Sequence, residues 1–308
     1  MFNPTIFIGE AVNKMKEVVT GKAIIAVSGG VDSTVAAKIA YDALKDKSLA
    51  VYVDTGLMRL GETENVRAIL DKLGINYKII DGQDTFLSNL KGIEDPEIKR
   101  KVIGKTFIEL FEVEAKKFNA EFLIQGTIAP DWIESGGGLR DTIKSHHNVG
   151  GLPEKMGIKI YEPLRDLYKD EVRKLAEFYE IPSKRQPFPG PGLAVRIMGE
   201  ITREKLDLLK RATDILERGL EKEKIIPWQY FVVLLSDRST GVHGDRRVYG
   251  NTVAIRCVDS IDGMTANFTN IPWDILASIS REITNKIPEI NRVVYDITDK
   301  PPATIEWE

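Results

Sequence analysis

One cysteine and three histidines in 308 residues leave little room for several kinds of chemistry. A single thiol, Cys257, cannot close an intrachain disulfide, and its isolation fits a reducing compartment. It sits in the apolar run "TVAIRCVD", where it reads as a small buried hydrophobe, and nothing around it resembles a nucleophile elbow. An excess of positive charge is also missing. With 43 Lys and Arg against 46 Asp and Glu, the net charge of -3 argues against a chain that binds mainly a phosphate backbone. No apolar run approaches the length of about 18 residues that a membrane span needs. The N-terminus has no basic segment followed by an apolar core and a small-residue cleavage site. The expectation is a cytoplasmic protein with no membrane and no nucleic-acid partner.

What is present is an ordinary globular composition, 43% hydrophobic and 29% charged, long enough for two domains. From Ala23 to about Tyr179, apolar runs alternate with amphipathic ones. "AIIAV", "LAVYVD", "NYKIID", "EFLIQG" and "IKIYEPL" have strand character. "DSTVAAKIAYDAL", "ETENVRAILDKLG", "DPEIKRKVIGKTFIELFEVEAKKF" and "KDEVRKLAEFYE" repeat apolar residues at helical spacing. Such alternation predicts an α/β fold, a parallel doubly wound sheet with helices on both faces. The interval 130–157 has no periodicity, is rich in Gly and polar residues and exceeds ordinary loop length, so a working lid is expected there. Four prolines and two glycines in "PSKRQPFPGPG" predict a domain boundary, giving domains over 1–187 and 188–308. Beyond it, a helix over about 202–224, strands "YFVVLLS", "RRVYGNTVAIRCVDS" and "RVVYDI", and a helix near "WDILASISREITNKI" suggest two helices on a small antiparallel sheet, a smaller α+β domain.

The stretch "AVSGGVDS" follows the first strand and opens the first of these helices. Gly29 and Gly30 allow close backbone approach, and a helix start offers free N–H groups at the positive end of the dipole. Ser28 and Ser33 add hydroxyls. Asp32 is wrong for direct phosphate contact and makes sense if Mg²⁺ lies between them. Taken by itself the stretch could equally be a tight strand–helix turn with a Ser or Asp cap. Two better-known phosphate loops fail on spacing. "GKT" at Gly104–Thr106 has Lys99, not Gly, five positions earlier, and no Gly-x-Gly-x-x-Gly follows the first strand.

"SGGVDS" resembles the pyrophosphate loop of the N-type ATP pyrophosphatases, which split ATP into AMP and pyrophosphate while activating an oxygen as its adenylate. With "VDTGLMR", "QGTIAPDWIES", "KSHHNVGGLP", "PLRDLYKDEVR", "PFPGPGLAVR" and "KPPATIEWE" in the same order, the chain from about Ala23 to Glu308 is similar to the GMP synthetase family, in its synthetase portion only. The resemblance implies that the C2 oxygen of XMP attacks the α-phosphate of ATP, and that ammonia then displaces AMP. It implies that the loop Ser28, Gly29, Gly30, Val31, Asp32 and Ser33 holds pyrophosphate, with Asp32 as the Mg²⁺ ligand and Lys169 as a cation on the leaving group. Backbone groups of Ala26 and Val53 would read adenine. The lid carries Asp131, Glu134, Lys144, His146 and His147, and Asp131 is the catalytic candidate among them. Gly190, Gly192, Arg196, Asp245, Arg247, Lys300, Ile305 and Glu306 match residues associated with XMP. The C-terminal module is expected to form a homodimer.

Two departures bear on function. Where many family members have "RHPFPGPGL", this chain has Arg185-Gln186-Pro187, so no histidine role carries over. Only 22 residues precede the first strand, so the glutaminase domain frequent in the family is not expected, and ammonia would come from a separate glutamine amidotransferase subunit. NAD synthetases and tRNA-thiolating enzymes would keep the loop but not "KPPATIEWE", and thiolation would require catalytic cysteines. A nucleotide-sensing module, which binds ATP without turnover, is the alternative from another class.

Overall fold

In the computed structural model, residues 2–134, 157–183, 186–261 and 263–308 are described. The chain divides into two compact units. One comprises Met1–Thr55, Gly61–Asp84 and Gly104–Arg185, the other Gly56–Leu60, Thr85–Ile103 and Gln186–Glu308. The second unit is thus assembled from three stretches, two of them inserted in the sequence of the first.

The first unit is built on five parallel strands, β1 (Ala23–Ala26), β2 (Ser48–Asp54), β3 (Tyr77–Asp81), β4 (Phe122–Ile124) and β5 (Lys159–Tyr161), in the order β3-β2-β1-β4-β5. The central strands are near-continuous apolar runs because both faces are covered. Ile24, Ile25, Val51 and Leu123 are essentially inaccessible to solvent. Around the sheet run α1 (Pro4–Val18), α2 (Val31–Leu44), α3 (Glu62–Lys72), α4 (Gln83–Leu90), α5 (Pro96–Phe118), α6 (Ala129–Glu134) and α7 (Lys169–Phe178), α4 and α5 also contributing to the second unit.

Two helices lie outside the expected elements. The first, α1, starts with a clear signal: Asn3 Oδ1 accepts from the N–H groups of Thr5 and Ile6 at 3.0 and 3.3 Å, and Pro4 occupies the first helical position. The second, α4, has only Phe86 and Leu90 buried. The aperiodic interval expected over 130–157 is also helical at its start. In α6 the Asp131 carboxylate reaches back to the Ile128 N–H at 2.9 Å, which ties the helix start without any apolar periodicity. Residues 135–156, with the rest of the expected lid, lie outside the described residues.

The second unit holds α8 (Arg203–Lys222), β6 (Gln229–His243), β7 (Arg246–Asp259), β8 (Asn267–Phe268), α9 (Trp273–Lys286) and β9 (Ile290–Asp296). β6, β7 and β8 are antiparallel neighbours, but β9 pairs with β7 in parallel, so the sheet is mixed rather than wholly antiparallel. The crossover through α9 dictates this, since a strand entered from a covering helix returns in the starting direction. Alternation puts Phe231 and Val233 on one face, where Ile305 and Trp307 pack against them.

Candidate functional site

Sequential strands β1, β2, β3 spread to one side and β4, β5 to the other, so the order reverses between β1 and β4. In open α/β sheets the crevice beyond the carboxyl ends at such a switch point is where ligands bind. The chain leaving β1 there is Ser28–Ser33, and the chain leaving β4 is Gln125–Thr127. Gly126 brings them together. A Cβ on it would lie 2.9 Å from the Asp32 carbonyl carbon and the Ser33 nitrogen, and 3.0 Å from the Asp32 oxygen. In the sequence Gly126 is one letter of "QGTIAPDWIES" with no role of its own, because nothing local requires a glycine there.

The loop is a compact anion cradle. Gly29 takes φ +81°, a left-handed conformation that side chains resist, and a Cβ on it would meet Val66 at 3.0 Å and Glu62 Oε1 at 3.1 Å. Glu62 is buried against the loop, and no pattern in "GETENVR" distinguishes it from a first-turn helix acid. Gly30 is the N-cap of α2 and brings no side chain to fill the helix start. Ser33 Oγ bonds the Gly30 carbonyl at 3.1 Å and accepts from the Ser28 N–H at 3.2 Å, and the two hydroxyls stand 3.3 Å apart. Val31 and Asp32 form the first turn.

Asp32 and Lys169, 137 positions apart, meet here: Lys169 Nζ donates to both carboxylate oxygens, at 2.8 and 2.6 Å. The pair is only partly covered, with side chains 28% and 45% exposed, so incoming groups can reach both. Lys169 is held at the first position of α7, where the Glu171 carboxylate accepts from the Tyr168 N–H at 2.9 Å. Val53 and Ala26 are at the strand ends. The β1–β2 ladder closes with the Val27 N–H on the Val51 carbonyl at 2.9 Å, and alternation puts the Val53 N–H and C=O on that same edge, one rung beyond. No cluster of three or more His, Cys, Asp or Glu that could hold a metal occurs among the described residues. Mg²⁺ suits such a site, since it keeps several waters and takes one or two carboxylates together with substrate phosphates. Asp32 fits that role. Asp131 is exposed, and its carboxylate is engaged by Ile128. Glu134 lacks a described side chain, and Lys144, His146 and His147 lie outside the described residues.

In the second unit the residues matched to XMP fall into two groups. Arg196 and Glu306 form a forked pair, Nε to Oε2 at 3.0 Å and Nη2 to Oε1 at 2.7 Å, with the Arg196 side chain 1% exposed and its guanidinium 4.0 Å from the Phe231 ring. Gln229 also donates to Glu306, at 3.0 Å. Nη1 of Arg196 finds no partner among the described residues. Ile305 fills the apolar cluster beside it, and Lys300 Nζ donates to the Gly263 carbonyl at 2.8 Å. Gly192 has a packing reason of its own: φ is +66°, and a Cβ would collide with the Leu57 carbonyl. Gly190 lies exposed in the preceding turn. Asp245 and Arg247 are elsewhere, exposed at the tip of the β6–β7 hairpin. Gln229 at the base contacts Glu306, and the run from there to His243 measures on the order of 40 Å at about 3.3 Å per residue.

Cys257 is buried beside Tyr295, and desolvation pushes its thiol up to about 12. No helix among the described residues is long and apolar enough to cross a membrane.

Residues 214–307 match the family described as GMP synthase C terminal domain, and residues 4–104 the family described as NAD synthase. The chain is 59% identical over 305 residues to a subunit of the glutamine-hydrolyzing GMP synthase of Thermoplasma acidophilum, covering 98% of each. The subunits of the same name from Pyrococcus horikoshii and Methanocaldococcus jannaschii are 57% and 55% identical, over 98% and 100% of each chain.

Proposed function

The chain belongs to the GMP synthase family, among the subunits of the glutamine-hydrolyzing enzyme, and from that premise we propose that it uses ATP to activate XMP and aminates the product to GMP. The C2 oxygen of XMP forms a bond to the α-phosphorus of ATP while the bond to pyrophosphate breaks. Ammonia then adds at C2, the C–O bond breaks, and AMP departs with the oxygen. The separate glutamine amidotransferase subunit supplies the ammonia, and the enzyme works in the cytoplasm.

The meeting of Asp32 with Lys169 at the mouth of the Ser28–Ser33 cradle carries this reading. A carboxylate and an ammonium from distant parts of the chain are brought to a helix start that already favours anions. The α2 N–H groups, Ser28 and Ser33 receive the pyrophosphate oxygens, and Lys169 leaves Asp32 to neutralise charge on the departing group. Asp32 would hold Mg²⁺ together with the phosphates, and the ion would supply charge neutralisation. Backbone groups of Ala26 and Val53 take the adenine edge. Asp131 remains a catalytic candidate at the start of α6.

XMP is assigned to the Gly190–Arg196 segment with Lys300, Ile305 and Glu306. Nη1 of Arg196 is a buried donor without a partner among the described residues, at a cost of about 1–3 kcal/mol, and a phosphate or purine oxygen would recover it once the tail opens to the ligand. Asp245 and Arg247 are too far along the hairpin to reach the same nucleotide as Glu306. Their match to XMP residues makes sense if each tip serves a second copy of the chain, which supports a homodimer through this module. Sedimentation of a monomer at micromolar concentration would exclude it.

The decisive assay supplies ATP, Mg²⁺ and XMP with ammonium or with glutamine. AMP, pyrophosphate and GMP are expected with ammonium, rising with pH as free NH₃ rises, and none with glutamine alone. ATP binding without turnover in the ammonium arm would make the chain a nucleotide sensor instead.

A further inference from the structure

In the sequence Lys99 does no more than spoil a Walker motif. In the fold it is the most deeply buried lysine among the described residues, with 0% of its side chain exposed, in the first turn of α5. Burying an ammonium is costly unless it is well paired. Its three donors go to three acceptors: the Ile197 carbonyl at 2.7 Å, the Ala194 carbonyl at 3.4 Å and Glu308 Oε2 at 2.5 Å.

These acceptors come from the two segments that meet in the Arg196–Glu306 pair. Ala194 and Ile197 belong to and close the 3₁₀ segment Gly192–Arg196 that carries Arg196, while Glu308 lies two residues beyond Glu306. Arg196–Glu306 and Lys99–Glu308 are therefore two parallel links between the same two strips of chain. Arg256 holds the tail alone, its guanidinium donating to the carbonyls of Thr298 and Thr304 on either side of Lys300. Of these, Lys99 is the one whose element carries none of the residues assigned to the nucleotide.

We infer that Lys99 is a positioning residue for the nucleotide-monophosphate site. It holds the Gly192–Ile197 segment and the 300–308 segment in one register, so that Glu306 and Lys300, with Arg196 buried behind Glu306, keep a single preformed arrangement. The inference rests on the assignment of XMP to those residues. Loss of Lys99 should weaken XMP binding while leaving the ATP cradle, which is built from other segments, intact.

The test measures KM for XMP, KM for ATP and kcat, with calorimetric XMP binding and a thermal melt for each variant. Lys99→Met leaves Glu308, only 7% exposed, without its cation and is expected to lower Tm. The double variant Lys99→Met/Glu308→Leu removes the orphaned charge and should recover Tm. Glu308→Gln keeps a hydrogen bond to Lys99 at unchanged volume but leaves the buried ammonium without its counter-charge, so Tm should fall here as well, and the double variant, which retains neither charge, carries the test. In each folded variant the expected result is a rise of about tenfold in KM for XMP, with KM for ATP and kcat within about twofold, the pattern of lost uniform binding. Unchanged XMP affinity in the folded double variant and in Glu308→Gln would overturn the inference. Lys300→Ala separates this from failure of the site assignment. If it too leaves XMP affinity unchanged, the assignment fails; if it weakens XMP while the Lys99 and Glu308 variants do not, only the positioning role fails.

Discussion

Gly126→Ala adds one methyl group where the chain leaving β4 packs against the backbone of Asp32 and Ser33. Gly126 is outside the left-handed region, so alanine meets no backbone strain of its own, and its effect is steric. The new Cβ would stand 2.9–3.0 Å from three backbone atoms of Asp32 and Ser33. Carbon and its neighbours rest at about 3.5–4.0 Å, so the two strips must part by roughly 0.5–1 Å. Backbone cannot swing aside as a flexible side chain can. Overpacking of this kind costs about 1–3 kcal/mol of stability, and a 1 Å displacement at a reacting centre costs up to about 10²-fold in rate. The expectation is a folded protein with Tm lowered by a few degrees and XMP-dependent pyrophosphate release reduced by one to two orders of magnitude. Gly104→Ala is the control. No neighbour lies within 4 Å of the added Cβ, and in the interior of α5 alanine should stabilise by about 0.5–1 kcal/mol without touching turnover. Wild-type turnover and Tm in Gly126→Ala would refute the claim that this approach sets the cradle. Loss of activity in Gly104→Ala would instead revive a phosphate role for "GKT".

Asp32→Asn should keep its fold, since the pair with Lys169 is partly exposed and worth at most about 1 kcal/mol, yet lose turnover by roughly 10²–10³-fold. A melt alongside kcat measured over a Mg²⁺ series decides it, and near-normal turnover at low Mg²⁺ would remove Asp32 from the metal. Burial raises the Cys257 thiol from 9.0 to about 12, so the folded state keeps a proton that the unfolded chain releases. Stability from this group is complete below about pH 9 and declines as pH rises toward about 12, by about 4 kcal/mol in all at 1.36 kcal/mol per unit. Cys257→Ala should flatten that alkaline limb in urea titrations and leave ammonium-dependent synthesis intact; an unchanged limb, or a thiol alkylated at pH 8 without unfolding, would contradict it.

Alternation made the five parallel strands legible: the central strands β1, β2 and β4, covered on both faces, must be continuous apolar runs, and the helices between strands must carry one apolar stripe. The cradle was legible for a related reason: its function uses the backbone, so it needs Gly29, Gly30, Ser28 and Ser33 contiguous in one strand–helix turn. Motif order made the family legible as well. By contrast, α6 was announced only by a single carboxylate reaching back one turn, a signal too short to register as periodicity, whereas α1 with its caps carries Asn3-Pro4 and apolar residues Ile8, Ala11, Met15 and Val19 at helical spacing. The direction of β9 depends on how α9 crosses the sheet, which no residue of "RVVYDI" encodes.

Side chains whose roles depend on distant partners remained ambiguous until the chain was folded. Asp32 and Lys169 are each nameable from sequence, but their meeting across 137 positions is a product of the β1–β4 switch point. Gly126 is required by Asp32 and Ser33 rather than by its own turn, and Gly192 by Leu57 as well as by its φ. Arg196 offers a charge for a ligand, and the fold commits most of its fork to Glu306; Lys99 offers no motif at all, and the fold buries it between two segments of the same unit. Local sequence determines which hydrogen-bonding groups and apolar faces a segment offers, because those depend on neighbours within a turn or a strand. Which offered groups meet is settled only when burial makes unpaired charge and overlapping atoms costly, and that cost exists only in the folded chain.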